Sequence, residues 1–153
     1  METRVAILMQ AKGRRKMLER DFAKLEGITV VACQKDMKTG IKAVFRQRPD
    51  ILLLYTDGPG FFPDELQVSL PRMLERLKKE KLFKTKVLLR TQYPEDHELI
   101  RSAFEAGVNI IDDKYDAPVI AEAMRRIQNG EHIRLYMRGH GSETFRSGRP
   151  ERE

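Results

Sequence analysis

The feature that most constrains this chain is a repeated alternation. Short apolar runs are followed, again and again, by a segment whose apolar residues recur at helical spacing. Arg4 to Met9 (RVAILM), Ile28 to Cys33 (ITVVAC), Ile51 to Tyr55 (ILLLY), Val87 to Leu89 (VLL) and Val108 to Ile111 (VNII) are such runs. They read as strands buried on both faces. Helices are predicted over Lys12 to Glu26, Asp36 to Gln47, within Asp64 to Lys81, over Pro94 to Ala106, and from an Asp116 cap with Pro118 inside to about Gln128. In the third helix Pro71 argues for a break near Ser69, with the proline in the first turn of the second piece.

Strands alternating with helices imply parallel pairing through right-handed crossovers. The predicted fold is therefore α/β: a doubly wound, three-layer sandwich of five βα units, in which ligands sit at the C-terminal ends of the strands. The chain has 153 residues, of which 41% are hydrophobic, enough for one core. Its 34% charged residues and net charge of +6 are mixed along the chain rather than blocked, so direct nucleic-acid binding is not expected. No apolar run approaches the roughly 20 residues that span a bilayer. A single cysteine, Cys33, suits a reducing cytoplasm. From Gly139 onward the chain (GHGSETFRSGRPERE) has little apolar content. Residues 1–133 are expected to form the domain and 134–153 a largely disordered extension. His132 to Met137 (HIRLYM) keeps apolar residues and is read as extending helix five or packing beside it.

Two stretches carry a more specific pattern. One is PDILLLYTDGPG, Pro49 to Gly60; the other runs from Thr91 to FEAGVNIIDDK, residues 104 to 114. In order and spacing they resemble the receiver domain of bacterial response regulators over about residues 3 to 133, and the resemblance implies the flavodoxin-like strand order 2-1-3-4-5. It also implies where phosphorylation chemistry would lie. The acceptor aspartate's place is taken by Tyr55, and the acidic pair after strand one falls at Met9 and Gln10, or at Gln10 and Ala11 if the alignment slips by one. The switch threonine is kept as Thr91, the conserved lysine as Lys114, and the aromatic switch position holds Ile111.

Receiver phosphorylation needs a carboxylate nucleophile and Mg²⁺, a cation held by oxygen ligands that usually include one or two carboxylates. A tyrosine hydroxyl, with a reference pKa of about 10, forms no acyl phosphate. No metal or other cofactor is expected. Tyr55 is expected to fill the pocket, bonding Lys114, Thr91 or water. Asp57 is a candidate displaced acceptor or a turn-capping residue; Asp112 and Asp113 read as a solvated strand end or as partners of Lys114 or Asp57.

The expectation is a non-enzymatic pseudo-receiver, a signalling or scaffold module working through protein contacts. Homodimerisation is expected through the face that the resemblance marks: Glu98, Arg101 and Glu105 on helix four, Asp112 and Asp113 after strand five, and Glu122, Arg125 and Arg126 on helix five. Alternatives are a small-ligand or nucleotide sensor using Lys114 and the basic run Lys12 to Lys16 (KGRRK), and the receiver fragment of a DNA-binding regulator. Lys78, Lys79, Lys81, Lys84 and Lys86 read as an exposed helix end, His97, His132 and His140 show no metal spacing, and the adjacent Phe61 and Phe62 read as loop packing or a docking knob.

Overall fold

A computed structural model describes residues 2–58, 60–80, 84–137 and, as backbone, 143–148. The elements in order are β1 (Thr3–Leu8), α1 (Lys12–Ala23), β2 (Ile28–Gln34), α2 (Met37–Gln47), β3 (Ile51–Tyr55), α3 (Pro63–Lys79), β4 (Lys86–Thr91), α4 (Glu98–Glu105), β5 (Asn109–Asp112), α5 (Ala117–Gln128), β6 (His132–Met137) and β7 (Glu143–Gly148). The sheet order is β2-β1-β3-β4-β5-β6-β7. The first five strands therefore take the expected doubly wound order, all parallel.

Strand alternation divides the interior in two. Val5, Ile7, Ile51, Leu53 and Leu88 face α1 and α5, meeting Leu18, Phe22, Ile120, Met124 and Ile127. Ala6, Leu8, Leu52, Leu54 and Leu89 face the other helices, meeting Val44, Leu66, Met73 and Ile100. The α2 helix packs closely on β1: a Cβ at Gly40 would lie 2.4 Å from a Leu8 methyl, so any larger residue there must push the Leu8 side chain aside.

Three expectations change. First, α3 runs unbroken through Pro71. Interior proline costs about 3 kcal/mol, but Pro71 lies on the exposed side, where water can reach the freed carbonyl. The opposite face buries Leu66, Leu70, Met73 and Leu77, each contributing about 1.5–3 kcal/mol. The helix starts earlier because Pro63 occupies its first turn and the Glu65 carboxylate accepts the N–H groups of Gly60 and Phe62 at 2.9 and 3.1 Å. Phe61 packs inside while Phe62 is exposed.

Second, α4 begins at Glu98 rather than Pro94, with His97 Nδ1 accepting the Leu99 N–H at 3.1 Å. Third, the boundary expected between residues 133 and 134 falls inside a strand. His132–Met137 pairs parallel to β5, and β7 returns antiparallel to it. The stretch expected as disordered extension thus contributes two strands. The alternation in HIRLYM explains β6: Ile133 and Leu135 join the core beneath α1 and α5, while Tyr136 joins the opposite core. His132 stacks on Phe104 at 4.0 Å and the Arg134 guanidinium lies 4.6 Å from the same ring.

Side chains add to the ladders in holding β6. Asn109 Oδ1 accepts the Ile133 N–H at 2.9 Å, and Asp112 Oδ2 accepts the Met137 N–H at 3.1 Å. Both residues are buried polar groups of β5, and each spends an acceptor on the neighbouring strand's backbone. Lys81, His140 and residues 149–153 lie outside the described residues. Lys78, Lys79, Lys84 and Lys86 are exposed.

Candidate functional site

The C-terminal ends of β1, β3, β4 and β5 meet at Tyr55. This residue shares the parity of Ile51 and Leu53, so its ring enters the α1/α5 core, where it is 2% exposed. Its hydroxyl is saturated. Arg14 Nη1 donates to it at 2.6 Å, and the hydroxyl donates to Asp113 Oδ2 at 2.8 Å. Arg90, the register partner of Tyr55 on β4, lies 5.4 Å from the ring centroid. Its Nη2 donates to the carbonyls of Asp113 and Tyr115 at 3.0 and 3.1 Å, holding the segment that carries the Asp113 carboxylate. Arg14 also reaches Asp57 at 3.5 Å.

The electrostatics favour the neutral phenol. Burial pushes the Tyr55 hydroxyl up to about 12, reinforced by the hydrogen bond to Asp113 and its negative charge, with Arg14 and Arg90 opposing. Burial also lowers the Arg90 guanidinium from its usual range, while Tyr55 and Asp113 oppose that shift.

The sequence-designated positions separate into distinct environments. Met9 is fully buried in the α1/α5 core. Gln10 is half-buried and packs against Gly58, where a Cβ would lie 2.6 Å from Gln10 Oε1 and φ is +95°. The carbonyls of Met9 and Gln10 accept from Arg15 Nη1 at 2.8 and 3.2 Å. The run Lys12 to Lys16 is therefore not simply a solvated face: Arg14 and Arg15 turn inward onto the strand ends, while Lys12 and Lys16 stay exposed. Asp57 joins the cluster through Arg14.

Thr91 is buried, accepts the Tyr93 N–H at 3.0 Å, and lies 3.1 Å from the Thr56 hydroxyl. Thr56 in turn donates to Gln92 Oε1 at 2.8 Å. Ile111 is fully buried in the core. Lys114 is exposed, and its backbone N–H donates to Asp112 Oδ1 at 3.1 Å. The expected partners of the Tyr55 hydroxyl, Lys114 and Thr91, are thus replaced by Asp113 and Arg14. The reason is geometric: Asp113 turns toward Tyr55, while Lys114 faces out beside β6.

Sequence reasoning missed Arg90 as a site residue. Its signal was a cation inside an apolar strand (VLLRT), at the parity of Leu88 and therefore pointing into the core.

The expected dimer face also changes. Asp112 is buried and Asp113 is engaged with Tyr55, so neither presents a free charge. The β5 edge between α4 and α5 is taken by β6. Arg126 is held by Glu131 through bonds of 2.8 and 2.9 Å, and Arg125 lies 3.5 Å from Glu122. Glu98, Arg101 and Glu105 are exposed on α4.

No family profile matches the chain, and no curated protein does. Solved structures do match. The signal receiver domain of NarL from Mycobacterium tuberculosis superposes with a TM-score of 0.69 at 18% identity, covering 84% of this chain and 98% of that one. The response regulator domain of Thermotoga maritima CheB gives 0.67 at 18% identity, over 84% and 98%. A DNA-binding response regulator of the LuxR family from Staphylococcus aureus gives 0.67 at 16%, over 83% and 99%. The chain has the receiver fold.

In the receiver fold a Mg²⁺ ion would be expected at these strand ends, and the residues present do not fit it. Met9 offers a buried thioether, Gln10 a neutral amide and Tyr55 a protonated phenol, none a hard anionic ligand. The Arg14 guanidinium already places positive charge on Tyr55. Among the described residues, no group of three or more His, Cys, Asp or Glu is placed to hold a metal ion. The Cys33 thiol is pushed up to about 11 by burial and by Glu19, which leaves it protonated and unreactive. No helix among the described residues is long and apolar enough to cross a membrane.

Proposed function

We propose that this protein is a pseudo-receiver: a signalling or scaffold module that works through protein contacts, without catalysis and without phosphorylation at the acceptor position. The observation that carries this reading is the saturated Tyr55 hydroxyl, bonded by Arg14 and Asp113. Two interactions act where a receiver would place metal and phosphoryl group. The arginine supplies a fixed cation, and the Asp113 carboxylate takes up the tyrosine's proton donor. Nothing at Tyr55 attacks phosphorus, and a raised phenol pKa makes it a poorer nucleophile still.

Asp57 does not restore the chemistry in this reading. Its carboxylate faces Arg14, a fixed cation that competes with a divalent ion for it. Incubation with acetyl phosphate and Mg²⁺, with intact mass measurement afterwards, tests the proposal. No added phosphoryl mass is expected; a stoichiometric adduct overturns it.

Partner contact in this reading uses the exposed charges of α4 and α5, Glu98, Arg101, Glu105, Glu122 and Arg125. Mixed charges of this kind suit a self-complementary, two-fold pairing. Light scattering across a concentration series is expected to show a dimer, and a strict monomer at high concentration removes the homodimer from the proposal.

A further inference from the structure

The same end of the sheet carries a second concavity, separate from the Tyr55 cluster. A pocket of about 700 Å³ opens between the segment after β4, the turn after β5 and the end of β6. That size lies within the roughly 300–1,000 Å³ range of small-molecule sites. It exists because β6 extends the sheet past β5: Arg134, Tyr136 and Met137 form one of its walls.

Most polar groups in these walls are already engaged. Arg134 Nε lies 3.2 Å from Glu95 Oε2. The two Asp112 oxygens accept the N–H groups of Lys114 and Met137. The Tyr136 hydroxyl donates to the Tyr93 carbonyl at 3.0 Å.

The side chains of Arg101, Lys114 and Asp96 are different. All three are exposed and line the pocket, and among the described residues none makes a side-chain hydrogen bond or ion pair. Over the whole lining three cations, Arg101, Lys114 and Arg134, face three carboxylates, Glu95, Asp96 and Asp112, but Asp112 is turned onto backbone N–H groups, so the Arg101 and Lys114 side chains keep their donors open to the pocket. An anion held there gains charge-assisted hydrogen bonds without breaking an existing pair. Tyr93, Tyr136 and Met137 supply an apolar surface beside the charges. The carboxylates of Glu95, Asp96 and Asp112 in the lining disfavour a polyanion, and that of Asp96 is open to accept N–H donors.

We propose that this pocket binds a small organic anion. Its carboxylate or phosphate group meets Arg101 and Lys114, and its planar, N–H-bearing body rests on Tyr93, Tyr136 and Met137. The site gives the protein an input that does not involve the acceptor position. Lys114 comes directly after Asp113, the residue that holds Tyr55, so an occupied pocket touches the segment that closes the other corner.

The test is titration of the ¹⁵N-labelled full chain, read by amide chemical shifts. The probes are adenosine monophosphate for a phosphate ester, anthranilate for an aromatic carboxylate, and inorganic phosphate as an anion without a body. At least one organic probe is expected to give saturable shifts at Tyr93, Lys114 and Met137. Inorganic phosphate is expected to bind more weakly. The R101Q/K114Q variant, altered only at exposed positions, is expected to lose about tenfold or more in affinity, and K12Q/K16Q to bind as the parent does. Whichever organic probe binds identifies the charged group as phosphate or carboxylate. The proposal is overturned if no organic probe saturates at millimolar concentration, if the shifts map to Lys12–Lys16, if R101Q/K114Q binds unchanged, or if inorganic phosphate binds as tightly as the organic probes.

Discussion

Two corners of one sheet end carry opposite designs. At the ends of β1 and β3 the polar groups are turned on one another: the Tyr55 hydroxyl has both donor and acceptor partners, and Arg14, Arg90 and Asp113 bond to it or to the backbone beside it, although the buried Arg90 Nε is left without a hydrogen bond. At the ends of β4, β5 and β6 the walls are paired, but Arg101 and Lys114 are left over beside an open pocket. Thr91 and Lys114, which belong together in the receiver pattern, both stay off the Tyr55 hydroxyl: Thr91 meets Thr56 and the Tyr93 N–H, and Lys114 lines the pocket. The comparison teaches that retention of a residue type is not retention of its role. Lys114 stands where the resemblance places a lysine, yet its side chain lines the pocket while Asp113 turns inward onto Tyr55.

The sharpest way to break the closed corner is to remove its plug. Tyr55→Ala is expected to destabilise the chain by about 3–5 kcal/mol, as large-to-small substitutions of buried aromatics do, measured by urea denaturation. A loss below about 1 kcal/mol means that Tyr55 does not hold the core together. Next comes the clamp that builds the open corner. Asp112→Ala strands the Met137 N–H and is expected to cost about 1–3 kcal/mol, with hydrogen exchange rising first across residues 132–137. Exchange that rises uniformly contradicts a local clamp.

A smaller effect is expected from Arg14→Gln, about 1 kcal/mol or less, since the side chain is 58% exposed and solvent weakens its bonds. Its diagnostic is the phenol rather than the stability. Removing the cation that favours ionisation moves the Tyr55 pKa further up.

The pH dependence has a defined sign. Tyr55 binds its proton more tightly folded, at about 12, than at the unfolded reference of about 10. Its contribution to stability is complete below pH 10 and is lost as pH rises from 10 toward 12. Tyr55→Phe, compared with the parent across that window by urea denaturation and by phenolate absorbance, is expected to flatten that part of the loss. Identical curves place the raised pKa elsewhere.

The alternation of apolar runs made the first five strands and helices legible, because each buried face repeats with its own period. Pro71 misled because its rule is local, whereas four buried residues across the helix decide the outcome. The sixth strand was hidden by its neighbours: HIRLYM alternates, but the polar stretch after it made the whole segment read as tail. At the site, the tyrosine closing the third strand was plain in the sequence, while its partners were not. Asp113 and Arg14 lie 58 and 41 residues away along the chain. Only the parallel register and the turn after β5 bring them to the same hydroxyl.

The β6–β7 hairpin reverses the direction in which the chain leaves the sheet. Gly148 pairs with His132, so the polypeptide returns about 20 Å, the length of six strand residues, from the end where Tyr55 and the pocket lie. Gly148 therefore lies at the pole opposite Tyr55 and the pocket, and the two strands tie the two poles of the domain together through one continuous ladder.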